Sequence, residues 1–241
     1  MLQSEKPAEA SDSSSAANLV NALAAPKSAF ESLARRPTFG LAMIVLVVLA
    51  AVLGYLAMSK VTPADFLKTI EESGRQLPPT AADHADRMLA VTKWIQVGAA
   101  LVVGPLLYLA VAGLFLVIFR TSGSDITFRQ SLATTVHGLL PFGVLAIVGI
   151  AVTLGKSEVS LSQVQSGNLV ASNLGFLAGS GASKAMKALL TSLDVFSLWC
   201  VALLAIGYRI VGRVRAGTAW AGVLVVWIVG ILIKVGLAAI F

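Results

Sequence analysis

The chain has 241 residues, 57% of them hydrophobic and only 12% charged, with a mean hydropathy of +0.86. A soluble domain carries about 25% charged residues, so a water-facing surface cannot be built over this much apolar content and a soluble globule is excluded. One cysteine, Cys200, rules out a disulfide framework, a CxxC pair and a cysteine-rich zinc site, and the net charge of +6 falls mostly at the flanks of apolar runs, which argues for membrane spans over nucleic-acid binding.

Residues 1–17, rich in Ser, Ala, Glu and Asp without apolar periodicity, read as a disordered tail. Over 18–38 the pattern changes. Leu19, Val20, Leu23, Phe30 and Leu33 recur at helical spacing, Pro26 suits the first position of a second short helix, and Lys27, Arg35 and Arg36 give a basic side. A cytoplasmic interfacial helix leading into the membrane is expected.

The first span is 39–58, an uncharged run long enough to cross about 30 Å of hydrocarbon. A long connection follows. Thr62-Pro63-Ala64-Asp65 is a helix start, with a Thr cap, Pro first and an acid in the first turn. Pro78-Pro79 stops that helix, and Thr80 with Asp83 is expected to form a capping box for the next. This helix continues into the second span, 95–119, and so projects beyond the bilayer. A short polar connection, Arg120 to Arg129, leads to the third span, 134–154, with Pro141 inside it. A second long connection, rich in Ser, Gly and Asn, precedes the fourth span, 188–211. A tight basic turn with Arg213 and Arg215 then leads to the fifth, 218–240. The fold class expected is all-α: a polytopic bundle of five transmembrane helices over 39–241, with short interfacial or extramembrane helices. Gly104, Gly113 and Gly207 are expected to let helices approach closely.

The short segments set the orientation. Lys27, Arg35, Arg36, Arg120, Arg129, Arg209, Arg213 and Arg215 fall on one side, and the positive-inside rule places that side and the N-terminus in the cytoplasm. The C-terminus is then outside. The lysines of the other side sit in long loops, where the rule weakens.

Catalytic patterns are missing. There is no HExxH. Gly179-Ser180-Gly181 lacks the glycine two residues before the serine and has no histidine after it. No catalytic, cofactor-binding or metal-ligating set is expected. The chemistry-bearing candidates are polar residues at membrane depth, where each is expensive: His137, one turn before Pro141, then Asp194 in the fourth span and Lys234 in the fifth. Counted along continuous helices, Asp194 and Lys234 lie at matched depth on antiparallel neighbours, which predicts an ion pair.

Several stretches carry a family likeness. Leu23-Ala24-Ala25-Pro26-Lys27-Ser28-Ala29-Phe30, His137-Gly138-Leu139-Leu140-Pro141, Asn173-Leu174-Gly175, Ser192-Leu193-Asp194-Val195-Phe196-Ser197-Leu198-Trp199 and Ala205-Ile206-Gly207-Tyr208-Arg209 together resemble the bacterial branch of the Yip (Ypt-interacting protein) family. The resemblance implies five spans and a cytoplasmic N-terminus. Eukaryotic members are linked to Rab GTPases and vesicle traffic, a role not carried over to the bacterial branch. The expected function is a non-enzymatic scaffold or adaptor of the cell membrane, the inner membrane of a bacterium, meeting a protein partner or lipid at its cytoplasmic face. The alternative is a small transporter or channel subunit using Asp194, Lys234 and His137.

Overall fold

The computed structural model describes residues 14–74, 76–78, 80–179 and 181–240. Most of the expected tail, residues 1–13, lies outside the described residues, as do Arg75, Pro79, Ser180 and Phe241. The described residues are mostly helical, without a strand. Two short helices, α1 (Ser15–Ala24) and α2 (Pro26–Arg35), precede α3 (Gly40–Ser59). Then come α4 (Pro63–Glu72), α5 (Ala81–Thr121), α6 (Phe128–Gly138) and α7 (Leu140–Leu154). The chain ends with α8 (Leu161–Ser166), a 3-10 turn at Leu174–Leu177, α9 (Lys184–Ser192), α10 (Val195–Val211) and α11 (Ala216–Ile240).

Four stretches are long and apolar enough to cross a membrane: Gly40–Ser59, Ala81–Thr121, Phe128–Leu154 and Ala216–Ile240. Only 6% of the most apolar window of α11 is buried within the protein, against 50% for Phe128–Leu154. A helix that is hydrophobic all round yet uncovered needs an apolar solvent. The expected fourth span departs from the sequence reading. It is two helices, α9 and the apolar 17-residue α10, separated at Leu193 and Asp194.

Local signals account for most boundaries. Thr62 Oγ1 accepts from the Asp65 N–H at 3.2 Å, with Pro63 opening α4 as its ring requires. The capping box expected at Thr80 does not form, because its side chain makes no cap bond. One forms instead at Thr127 and Gln130, at the start of α6. Pro141 does more than sit inside a span. It opens α7 and divides the third apolar stretch at Leu139, since a proline cannot donate to the carbonyl one turn back. The first helix starts at Ser15, capped by Ser14, three residues before the boundary read from the sequence. With 41 residues, α5 is about 60 Å long, twice the hydrocarbon thickness, and so projects beyond it as expected.

The core gathers around α10, which packs against α2, α6, α7 and α11, while α3 packs against α5 and α7. Phe30 and Leu33 of α2 are fully buried with Phe115, Phe119 and Tyr208. The apolar side of the N-terminal pair is thus covered by protein, and Lys27, Arg35 and Arg36 face outward. Tyr208 stacks on Phe119 at 4.5 Å and lies 4.7 Å from Phe115, centroid to centroid. Its hydroxyl is 2.8 Å from both Ser131 Oγ and Thr135 Oγ1. Since Ser131 Oγ donates to the Ala112 carbonyl at 2.7 Å, the Tyr208 hydroxyl accepts from Thr135 and turns its one proton to Ser131, whose Oγ and main-chain carbonyl, the latter at 3.1 Å, both lie within reach. Four buried polar groups on three helices are satisfied together.

Close approach occurs at Gly207, where an added Cβ would stand 2.7 Å from Thr134 Cγ2 and 2.8 Å from Phe30 Cε1. Gly104 and Gly113 make no such approach, whereas Gly138 does, against Leu204. Gly207→Ala should therefore lower unfolding stability in detergent by about 1–3 kcal/mol through overpacking. Gly113→Ala, with nothing within 4 Å, should leave it unchanged or slightly raised. A denaturant titration followed by circular dichroism checks both.

Candidate functional site

The polar residues expected at membrane depth divide between two places. His137 is buried in α6, with Nδ1 2.9 Å from the Ala133 carbonyl oxygen. A carbonyl only accepts, so the ring donates from Nδ1 within its own helix. Asp194 and Lys234 lie elsewhere, on the wall of one cavity of about 370 Å³ that His137 does not line.

Asp194 owes its position to a break in the helix. It is the N-cap of α10, with an extended backbone, and its Oδ1 accepts from the N–H groups of Phe196 at 2.7 Å and Ser197 at 3.0 Å. Oδ2 accepts from the Ser172 hydroxyl. Three donors and the positive end of a helix dipole surround a carboxylate that would otherwise be costly at this depth. The segment beside it is held in the same way. Leu174 N–H donates to the Leu193 carbonyl at 3.2 Å and Val195 N–H to the Ser172 carbonyl at 3.1 Å, giving an antiparallel bridge between Asn173 and Asp194. Asn173 turns the chain, accepting from Gly175 N–H at 2.8 Å and donating to Asn168 Oδ1 at 2.9 Å. Two of the motif stretches, around Asn173 and around Asp194, therefore meet, and non-helical backbone is tolerated there because its polar groups are paired.

The expected Asp194–Lys234 ion pair is not formed. Lys234 Nζ donates to Thr191 Oγ1 at 3.1 Å, and no carboxylate reaches it at ion-pair distance among the described residues. The matched-depth argument assumed a continuous fourth span. The break at Leu193 commits the carboxylate to its own helix start, short of ion-pair distance from Lys234. Lys234 spends one of its three donors on Thr191, and its remaining protons face the cavity.

Sequence reasoning passed over Ser172 and Tyr208 as polar partners. Ser172 is 22 residues from Asp194, in a stretch read as loop, and no local pattern links the two. Tyr208 has the hydropathy of a span residue, so its hydroxyl drew no notice. No group of three or more His, Cys, Asp or Glu side chains able to hold a metal occurs among the described residues.

Asp194→Ala should destabilise the protein by about 1–2 kcal/mol through loss of the cap, and Asp194→Asn, which keeps an acceptor, by less. The two side chains share a cavity without forming an ion pair, so Asp194→Asn and Lys234→Met should couple, in a double-mutant cycle of unfolding, by less than the about 3–5 kcal/mol at stake in a buried pair.

No curated protein and no solved structure matches this chain. The family model described as the Yip1 domain matches residues 20–238, from α1 to the last turns of α11. With nearly its whole length matched, and with apolar helices fit to span a bilayer, this chain is a membrane protein that belongs to the Yip1 domain family.

Proposed function

We propose that the protein is a non-enzymatic scaffold or adaptor of the Yip type, from the family's bacterial branch, which meets partner proteins or lipid at the cytoplasmic face of the inner membrane. It crosses that membrane five times, N-terminus inside and C-terminus outside. At 17 residues α10 reaches about 26 Å, the lower limit for a span, and the α9 segment before it makes up the remaining depth.

The observation that carries this reading is the basic end of the bundle. Arg129 Nε donates to the Pro37 carbonyl at 3.1 Å, Gln130 Nε2 to that of Ala34 at 3.0 Å, and Ser124 Oγ to that of Gly212 at 2.6 Å. These bonds tie the end of α2, the α5–α6 connection and the α10–α11 turn into one surface. Exposed Lys27, Arg35, Arg120, Arg129, Arg209 and Arg213 lie on or next to the tied segments, against two acids, Glu31 and Asp125. Such a surface satisfies the positive-inside rule and suits an acidic partner or an anionic headgroup. A cavity of about 360 Å³ opens there between Ala34, Asp125, Gln130 and Arg213.

The transporter or channel reading draws its support from the cavity shared by Asp194 and Lys234. Proteoliposomes decide between the two. The adaptor reading expects no proton or ion flux above protein-free vesicles, and flux abolished by Asp194→Asn would install the transporter in its place. For topology, a reporter active only outside the cytoplasm should work after Phe241 and fail before Ser14. Two reporters active on the same side would overturn the five-span arrangement.

A further inference from the structure

At the end of the bundle away from the basic surface, α8, α9 and α11 enclose a cavity of about 990 Å³. Lys184, Lys187 and Lys234 line it, with Gln163, Asn168 and Thr191 among its uncharged polar groups, and among the described residues none of those lining it is acidic. The nearest carboxylate in the adjoining cavity, Asp194, is committed to two backbone N–H groups and the Ser172 hydroxyl. Lys187 and Lys234 against one engaged carboxylate leave an excess of positive charge. Lysines 184 and 187, three apart on α9, share a helix face. Lys234 comes from α11 about 9 Å before its end, within reach of the headgroup layer.

The rim tells what kind of anion belongs there. Next to α9, the 3-10 turn leaves Phe176 75% exposed and Leu177 61% exposed, and Met186 of α9 is 49% exposed. Large apolar side chains beside a cluster of lysines suit the boundary between headgroups and acyl chains, where one part of the contact is dry and the other charged. A freely dissolved anion would have no use for that rim.

We infer that this cavity is a binding site for the phosphate of an anionic phospholipid, in the leaflet on the α9 side, with Lys187 and Lys234 as its principal cations and the exposed apolar rim against the acyl chains. The site is at the opposite end from the surface assigned to partners, so it stands or falls independently of the adaptor reading.

The test uses the full chain in detergent micelles, with phosphatidylglycerol, phosphatidylcholine and inorganic phosphate as separate probes. Native mass spectrometry counts retained lipid. Phosphatidylglycerol should bind at least about tenfold more tightly than phosphatidylcholine, and Lys187→Gln with Lys234→Gln should remove that preference. The double variant Lys68→Gln and Arg87→Gln, equal in charge change but on α4 and α5 outside the cavity, should keep it. Equal loss in both variants, or no preference in the wild type, overturns the site. Displacement of the lipid by millimolar inorganic phosphate, with the same lysine dependence, would assign the cavity to a soluble ion and overturn the lipid. Because the lysine variant could fold poorly, a second measurement stays with the wild type. Acylation of Lys187 and Lys234 by an amine reagent should slow with phosphatidylglycerol and not with phosphatidylcholine. Unchanged rates at both would refute the site.

Discussion

In a bilayer no water stands ready to take up a hydroxyl that loses its partner, so an interior polar group fixes helices more strictly than apolar packing does. Tyr208 exerts that constraint here. Its ring is wedged against Phe115 and Phe119 of α5, while its hydroxyl sits between Ser131 and Thr135 of α6. One turn of sliding along α10 would separate all of these at once, and leaving a buried hydroxyl unpaired costs about 1–3 kcal/mol or more. The neighbouring Gly207 supplies the other half of the fit. Without a side chain it admits Phe30, and so brings the N-terminal helix pair onto the bundle. Registration of α2, α5 and α6 thus converges on two consecutive residues of α10.

Much of this architecture could be read from the chain, and the exceptions share one cause. Apolar runs located α3, α11 and the end of α5 to within a few residues, because lipid rewards average composition over about twenty positions. An average is blind to where a helix stops. Pro141 and Asp194 each interrupt an otherwise apolar stretch, and both were read as residues inside spans when they begin new helices. For Asp194 a local signal existed: an aspartate directly ahead of an apolar run is a capping residue. Charge at membrane depth drew attention to Lys234 as a counter-ion instead. The cavity beside Lys234 was legible only in fragments, since Asn168, Lys187 and Thr191 come from segments that only the folded chain brings near α11.

The break at Asp194 also changes how the charge in this protein should be counted. A carboxylate that caps its own helix is neutralised locally, by two backbone N–H groups and a hydroxyl, and needs no cation from a neighbour. Lys234, at the same end, bonds to the Thr191 hydroxyl and forms no ion pair with that carboxylate. At the opposite end the arginines are similarly arranged around backbone carbonyls, with Arg120 donating to Ile126 and Arg129 to Pro37. Both ends of the bundle thus present cations, the one of short arginine-rich turns and the other of lysines around an open hollow.

The length of α5 has a mechanical corollary. A single unbroken helix of 41 residues links the arginine-rich end to the region where α4 leans on it beyond the bilayer. It is held at Phe115 and Phe119 near one end, by α3 along its membrane stretch and by α4 near the other end. Each degree of inclination moves the tip of a rod about 60 Å long by about 1 Å. Bilayers that thin or thicken change the inclination of long helices, and any such change in α5 would carry with it the α4 segment packed around Phe66, because Met88 and Leu89 of α5 belong to that cluster.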